Sequence, residues 1–72
     1  MKAKYVMTTL GPVIFPGSFQ HSDFSNLKPV SAGFVIFDDN GKPTTYGRSE
    51  SLGMKSRPGD SRLIEIFFEI GK

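Results

Sequence analysis

Seventy-two residues with seven phenylalanines, a formal net charge of +2 and no cysteine describe one small domain without disulfides or thiolate metal sites. The single histidine removes the usual histidine–cysteine zinc sites as well, so stability must come from aromatic and aliphatic packing or from self-association. A charge this mild does not announce nucleic acid, and no stretch is apolar for long enough to cross a bilayer.

Met1-Lys2-Ala3-Lys4 has the basic start of an export signal, but Thr8, Thr9, Gly11 and Pro12 interrupt what would be its apolar core. The expectation is a soluble cytoplasmic protein. Lys4 to Leu10 is rich in tyrosine, valine and threonine and reads as a strand. Gly11-Pro12 breaks or bends it, Val13-Ile14-Phe15 resumes it, and Pro16-Gly17 ends it with a turn. Residues 16–30 hold no sustained period of 2 or 3.6. Phe19, Phe24 and Leu27 are expected to pin this segment to the core, with Ser22 capping one short turn and Asp23 at its positive end. A connection this long is often functional or exchanged between subunits.

Ser31 to Asp38 followed by Asp39-Asn40-Gly41-Lys42 is a hairpin signal, since Asn-Gly supplies the positive-φ pair of a type I′ turn. In that register Phe34 faces Gly47 and Val35 faces Tyr46; a three-residue loop with a bulge would shift the pairing by one. Phe34-Val35-Ile36-Phe37 is apolar on both faces, which marks a central strand covered on both sides.

Ser61 to Ile70 alternates well enough for a strand, yet its punctuation favours a helix over 60–70. Pro58 suits a first turn, Ser56, Asp60 or Ser61 can cap it, and Gly71 is a natural stop. Its apolar residues fill an arc of roughly 200°, wider than one sheet face covers. The fold expected is therefore α+β: a small antiparallel sheet of three or four strands with one C-terminal helix packed on it. The excess apolar surface predicts a homodimer or higher oligomer.

Residue types that carry chemistry are mostly explained structurally. His21-Ser22-Asp23 holds the three members of a hydrolytic triad, but neighbours in one tripeptide cannot converge as a triad requires. Asp38-Asp39 belongs to a turn, and Glu65 with Glu69 to the outer face of the helix. No nucleophile–base pair, cofactor motif or metal set can be assembled, so an enzyme is not expected. Gly47 to Arg62, GRSESLGMKSRPGDSR, is different. It sets cations and hydroxyls on a glycine-rich segment ahead of a helix, the parts from which anion sites are built. It matches neither the Walker A loop nor the dinucleotide fingerprint. Arg48, Ser49, Ser51, Lys55, Ser56 and Arg57 are the candidate ligand-binding residues, with His21 closing over them from the long loop.

Ser31-Ala32-Gly33-Phe34, then Gly47-x-Ser49-x-Ser51-Leu52-Gly53 and Ser56-Arg57-Pro58, with Phe15-Pro16 and His21 before them, resemble the pattern of a family of small bacterial and prophage-encoded proteins. The resemblance spans about half the chain. It implies a bacterial or phage origin and a terminal helix, and it brings no activity with it. Those relatives carry an acidic residue where this chain has Gly59. The function expected is a non-enzymatic module that binds a phosphate-bearing small molecule or nucleotide signal. The alternative is an interaction protein that inhibits or adapts a larger host protein through an apolar surface. Nucleic acid is disfavoured, because the aromatics lie in core strands rather than among the cations.

Overall fold

A computed structural model describes residues 2 to 70; Gly71, the expected helix stop, lies outside the described residues. Strands β1 (Lys2–Thr8), β2 (Gly11–Phe15), β3 (Ser31–Phe37) and β4 (Pro43–Tyr46) form an antiparallel sheet in the order β2-β1-β3-β4. A short hairpin of β5 (Arg48–Ser49) and β6 (Met54–Lys55) follows, and the helix α1 (Asp60–Ile70) packs back on the sheet against β2 and β4. The fold is α+β with one C-terminal helix, as the sequence indicates.

Alternation decides which residues meet α1. In β1, Ala3, Tyr5 and Met7 point one way and join Val35 and Ile64 in a buried cluster beneath the helix. Val6 points the other way, with Phe15 and Ala32, into a second cluster roofed by Phe24, Leu52 and Met54. Those three residues come from a 3-10 helix over His21–Leu27 and from the β5–β6 hairpin region. β3 is thus central and covered on both faces, and only Ile36 near its end is exposed.

Three local expectations need correction. The first strand ends at Thr8 and reverses through Thr9 and Leu10, before the glycine rather than at it. Thr8 Oγ1 fastens that turn, donating to Gly11 O at 2.8 Å and accepting from Leu10 N at 3.1 Å. Pro12 then lies on β2, an edge strand, where its missing N–H costs no ladder bond. In the long connection, Gln20 rather than Ser22 precedes the first turn, and its N–H donates to Asp23 Oδ2 at 2.9 Å. Only Phe24 of the three expected anchors enters the core, its ring 4.3 Å from that of Phe15; Phe19 and Leu27 stay exposed.

The third correction is the β3–β4 register, in which Phe34 faces Tyr46 and Val35 faces Thr45. Asp38 N donates to Lys42 O at 3.0 Å and Gly41 N to Asp38 O at 2.9 Å, so the loop has three residues, with Gly41 in positive φ. The cause is the Asp38 carboxylate. Its Oδ1 accepts from Asn40 N at 2.9 Å and Lys42 N at 2.8 Å, which Asn-Gly alone does not provide. Phe34 still covers Gly47, where an added Cβ would lie 3.0 Å from the ring. Asp38→Ala is expected to cost about 1 kcal/mol, read as a lower denaturation midpoint with unchanged slope. An unmoved midpoint would mean that the backbone bonds alone hold the turn.

Candidate functional site

The start of α1 is occupied from within. Pro58 and Gly59 form the turn that leads into it, and the fully buried Asp60 turns back across that turn. Asp60 Oδ2 accepts from Tyr5 Oη at 2.6 Å, Ser31 Oγ at 2.7 Å and Arg57 N at 3.0 Å. Its other oxygen makes no hydrogen bond and lies 3.6 Å from Arg57 Nε. Burial pushes this carboxyl up, but the three hydrogen bonds and the Arg57 charge outweigh it and bring the carboxyl below its ordinary value. Burial, followed by the bond to Asp60, pushes the Tyr5 phenol well up. The helix end therefore already holds a carboxylate, and Arg57 is its neighbour.

The seven sequence-derived candidates do not gather at that helix end. Ser56 donates its hydroxyl to Gly47 O at 3.0 Å, pinning the crossing chain, and Ser49 is fully buried with its Oγ accepting from Leu52 N at 3.1 Å. Lys55 stands directly across from Arg48 in the β5–β6 ladder. His21, Arg48 and Ser51 do come together. They line a pocket of about 330 Å³ with Lys4, Gln20, Phe34 and Glu50.

His21 forms part of the pocket wall while being almost wholly buried. Its Nε2 lies 2.8 Å from Gly33 O. A carbonyl only accepts, so this nitrogen carries the hydrogen, and in the neutral ring Nδ1 is left as an acceptor. The rings of Phe15 and Phe34 meet it edge-on at 5.5 and 5.7 Å. Lys4 Nζ, also in the lining, donates to Phe19 O at 2.8 Å, which uses one of its three donors. Arg48 Nε is 3.5 Å from Glu50 Oε1, an exposed pair of small strength. Lys2 Nζ sits 5.6 Å from the centre of the Phe34 ring, close by. Cations thus outnumber the one carboxylate around this opening. Among the described residues, no group of three or more potential ligands could hold a metal ion.

Lys4, Gln20, Phe34 and Glu50 escaped sequence reasoning. A partial signal existed, because Lys2 and Lys4 alternate onto one face of β1. Pairing of Lys4 with Phe34 then carries that face to the pocket.

A second surface is apolar. Leu63, Ile66, Phe67 and Phe68 of α1 remain exposed, so the sheet does not cover the whole arc. Beside them a groove of about 260 Å³ runs between α1 and the β1–β2 hairpin. No helix among the described residues is long and apolar enough to cross a membrane. Comparison with protein-family models, curated proteins and solved structures finds no match.

Proposed function

We propose that this chain is a small non-catalytic binding module whose polar pocket takes a compact phosphate-bearing ligand. The observation that carries the reading is the meeting of Lys4 and Arg48, distant in sequence, at one opening of about 330 Å³. Lys55, directly across from Arg48, adds a like charge that an incoming anion would relieve. The volume suits a small molecule, and Gln20 and Ser51 offer neutral donors beside the cations. The reading is non-catalytic because Ser51 and His21 are each bonded to another group rather than to one another. His21 Nε2 is held by Gly33 O, and Ser51 Oγ lies 3.3 Å from Ser49 Oγ. In a bacterial or phage cytoplasm such a module would hold a nucleotide signal out of solution.

Titration of inorganic phosphate and nucleotides, followed by amide resonances, tests this. Shifts are expected at Gln20, His21 and residues 48–51. Arg48→Ala and Lys4→Ala are each expected to weaken binding by about 1.5–3 kcal/mol, the range for hydrogen bonds to charged groups. Arg57→Ala should lower the melting temperature and leave affinity unchanged, since its partner is Asp60. If no phosphate compound at millimolar concentration moves those resonances, the reading fails. The interaction-protein reading, which rests on the apolar flank of α1, then takes its place.

A further inference from the structure

Leu10 sits at the tip of the β1–β2 hairpin and is 93% exposed. Turn tips normally carry small polar residues or glycine, and among the described residues almost nothing covers this leucine. Directly beside it lies the groove of about 260 Å³ lined by Met7, Thr8, Pro12, Leu63, Ile66 and Phe67. The hollow continues over Gly11 toward Val13 and Leu27, where Leu10 itself forms part of the wall. We infer that a second copy of this chain covers this flank, the Leu10 of each copy entering the groove between α1 and the hairpin of the other.

Four features fit a second copy. First, a two-fold contact uses the same patch on both partners, so a projection and its receptacle must lie side by side on one surface. Leu10 and the groove do. Second, such a contact brings each residue's surroundings against themselves, and like charges would repel. Among the described residues, no charged side chain lines either hollow, although the chain as a whole carries +2. Third, Leu10, Leu27, Leu63, Ile66 and Phe67 are all exposed. An aromatic side chain buries about 150–250 Å² and a leucine or isoleucine less, so these five, most of them about half exposed, bring on the order of 400–500 Å² per copy. With the hairpin backbone and threonines added, that approaches the roughly 800 Å² per partner of a stable interface. Fourth, the free edge of β2 carries Pro12, which has no N–H to offer a neighbouring strand. The contact is made by side chains, not by extending the sheet.

This surface shares no lining residue with the polar pocket, so the two readings fail separately. The test is the mass in solution of the wild type and of Leu10→Asp, by sedimentation across a dilution series to about 100 µM. The wild type is expected to be a dimer at micromolar concentration and Leu10→Asp a monomer with unchanged circular dichroism. Because Leu10 makes almost no contact within its own chain, the variant folds whether or not it associates. In a mixed-labelled dimer, intermolecular nuclear Overhauser effects should join the Leu10 methyls to the Phe67 ring. A monomeric wild type at every concentration overturns the inference and leaves the flank to a foreign partner. A dimer that survives Leu10→Asp overturns it too, by placing the interface elsewhere.

Discussion

Asp60→Ala is expected to lose most of the stability of the folded chain. The substitution removes the shared acceptor of Tyr5, Ser31 and the Arg57 amide. Both hydroxyls are fully buried, so losing their acceptor leaves two donors inside the sheet–helix interface. A buried donor left unsatisfied costs about 1–3 kcal/mol, and there are at least two. A domain of this size holds only roughly 0.05–0.15 kcal/mol of stability per residue, so the loss consumes most of it. Asp60→Asn is the milder variant. It keeps one oxygen for the three donors but turns an amide hydrogen toward the Arg57 guanidinium. Far-ultraviolet circular dichroism and denaturant titration should rank the forms wild type, Asn, Ala. An Ala variant with near-native stability would mean that the three donors find other partners.

The same carboxylate sets the acid response. Its native value lies below the ordinary 3.8, so the folded chain gives up this proton more readily than the unfolded chain. The stabilisation is complete above the ordinary value and is lost as pH falls through it toward the depressed native one. Tyr5 acts at the opposite end. Its raised phenol holds its proton beyond the ordinary 10.0, so that contribution is intact below about pH 10 and declines above it. Between about pH 5 and pH 2 the Asn variant should lose stability less steeply than the wild type. Equal slopes would assign acid unfolding to other groups.

How far the sequence reaches depends on whether the deciding partner is local. The helix over 60–70 was legible because Pro58 and the capping residues beside it are short-range signals. That Asp60 would gather three donors was not, since Tyr5 and Ser31 lie 55 and 29 residues away. Asn40-Gly41 marked the hairpin, but the same dipeptide serves two loops, and the Asp38 side chain chose between them. In the pocket, Arg48 and Ser51 could be named from composition. Lys4 reaches them only through the pairing of β1 with β3, a long-range contact without a sequence motif. Arg57 carried a warning in the chain itself: a carboxylate three residues on, at the spacing of a first-turn partner.

Gly33→Ala should be nearly as damaging as Asp60→Ala, for a steric reason. Gly33 stands opposite Tyr5 in the β1–β3 ladder, at the point where the chain leaving β4 crosses over β3. A Cβ built there would lie 2.7 Å from the Tyr46 carbonyl oxygen, 3.4 Å from that of Gly47 and 3.2 Å from Ser56 Cβ. The nearest atom is backbone, so no rotamer change relieves the contact. The crossing segment must lift, which strains the bonds from Ser56 to Gly47 O and the Gly33 O–His21 bond on the pocket side. Overpacking a tight site costs about 1–3 kcal/mol and more where backbone must move; the upper end is expected here. Gly59→Ala is the internal control. Its added methyl meets nothing within 4 Å and its φ lies outside the left-handed region, so in the turn that leads into α1 it should be neutral or stabilise by up to about 1 kcal/mol. Gly33→Ala should melt well below the wild type, and Gly59→Ala at or above it. A Gly33→Ala protein that melts with the wild type would show that the crossing segment does not press on β3.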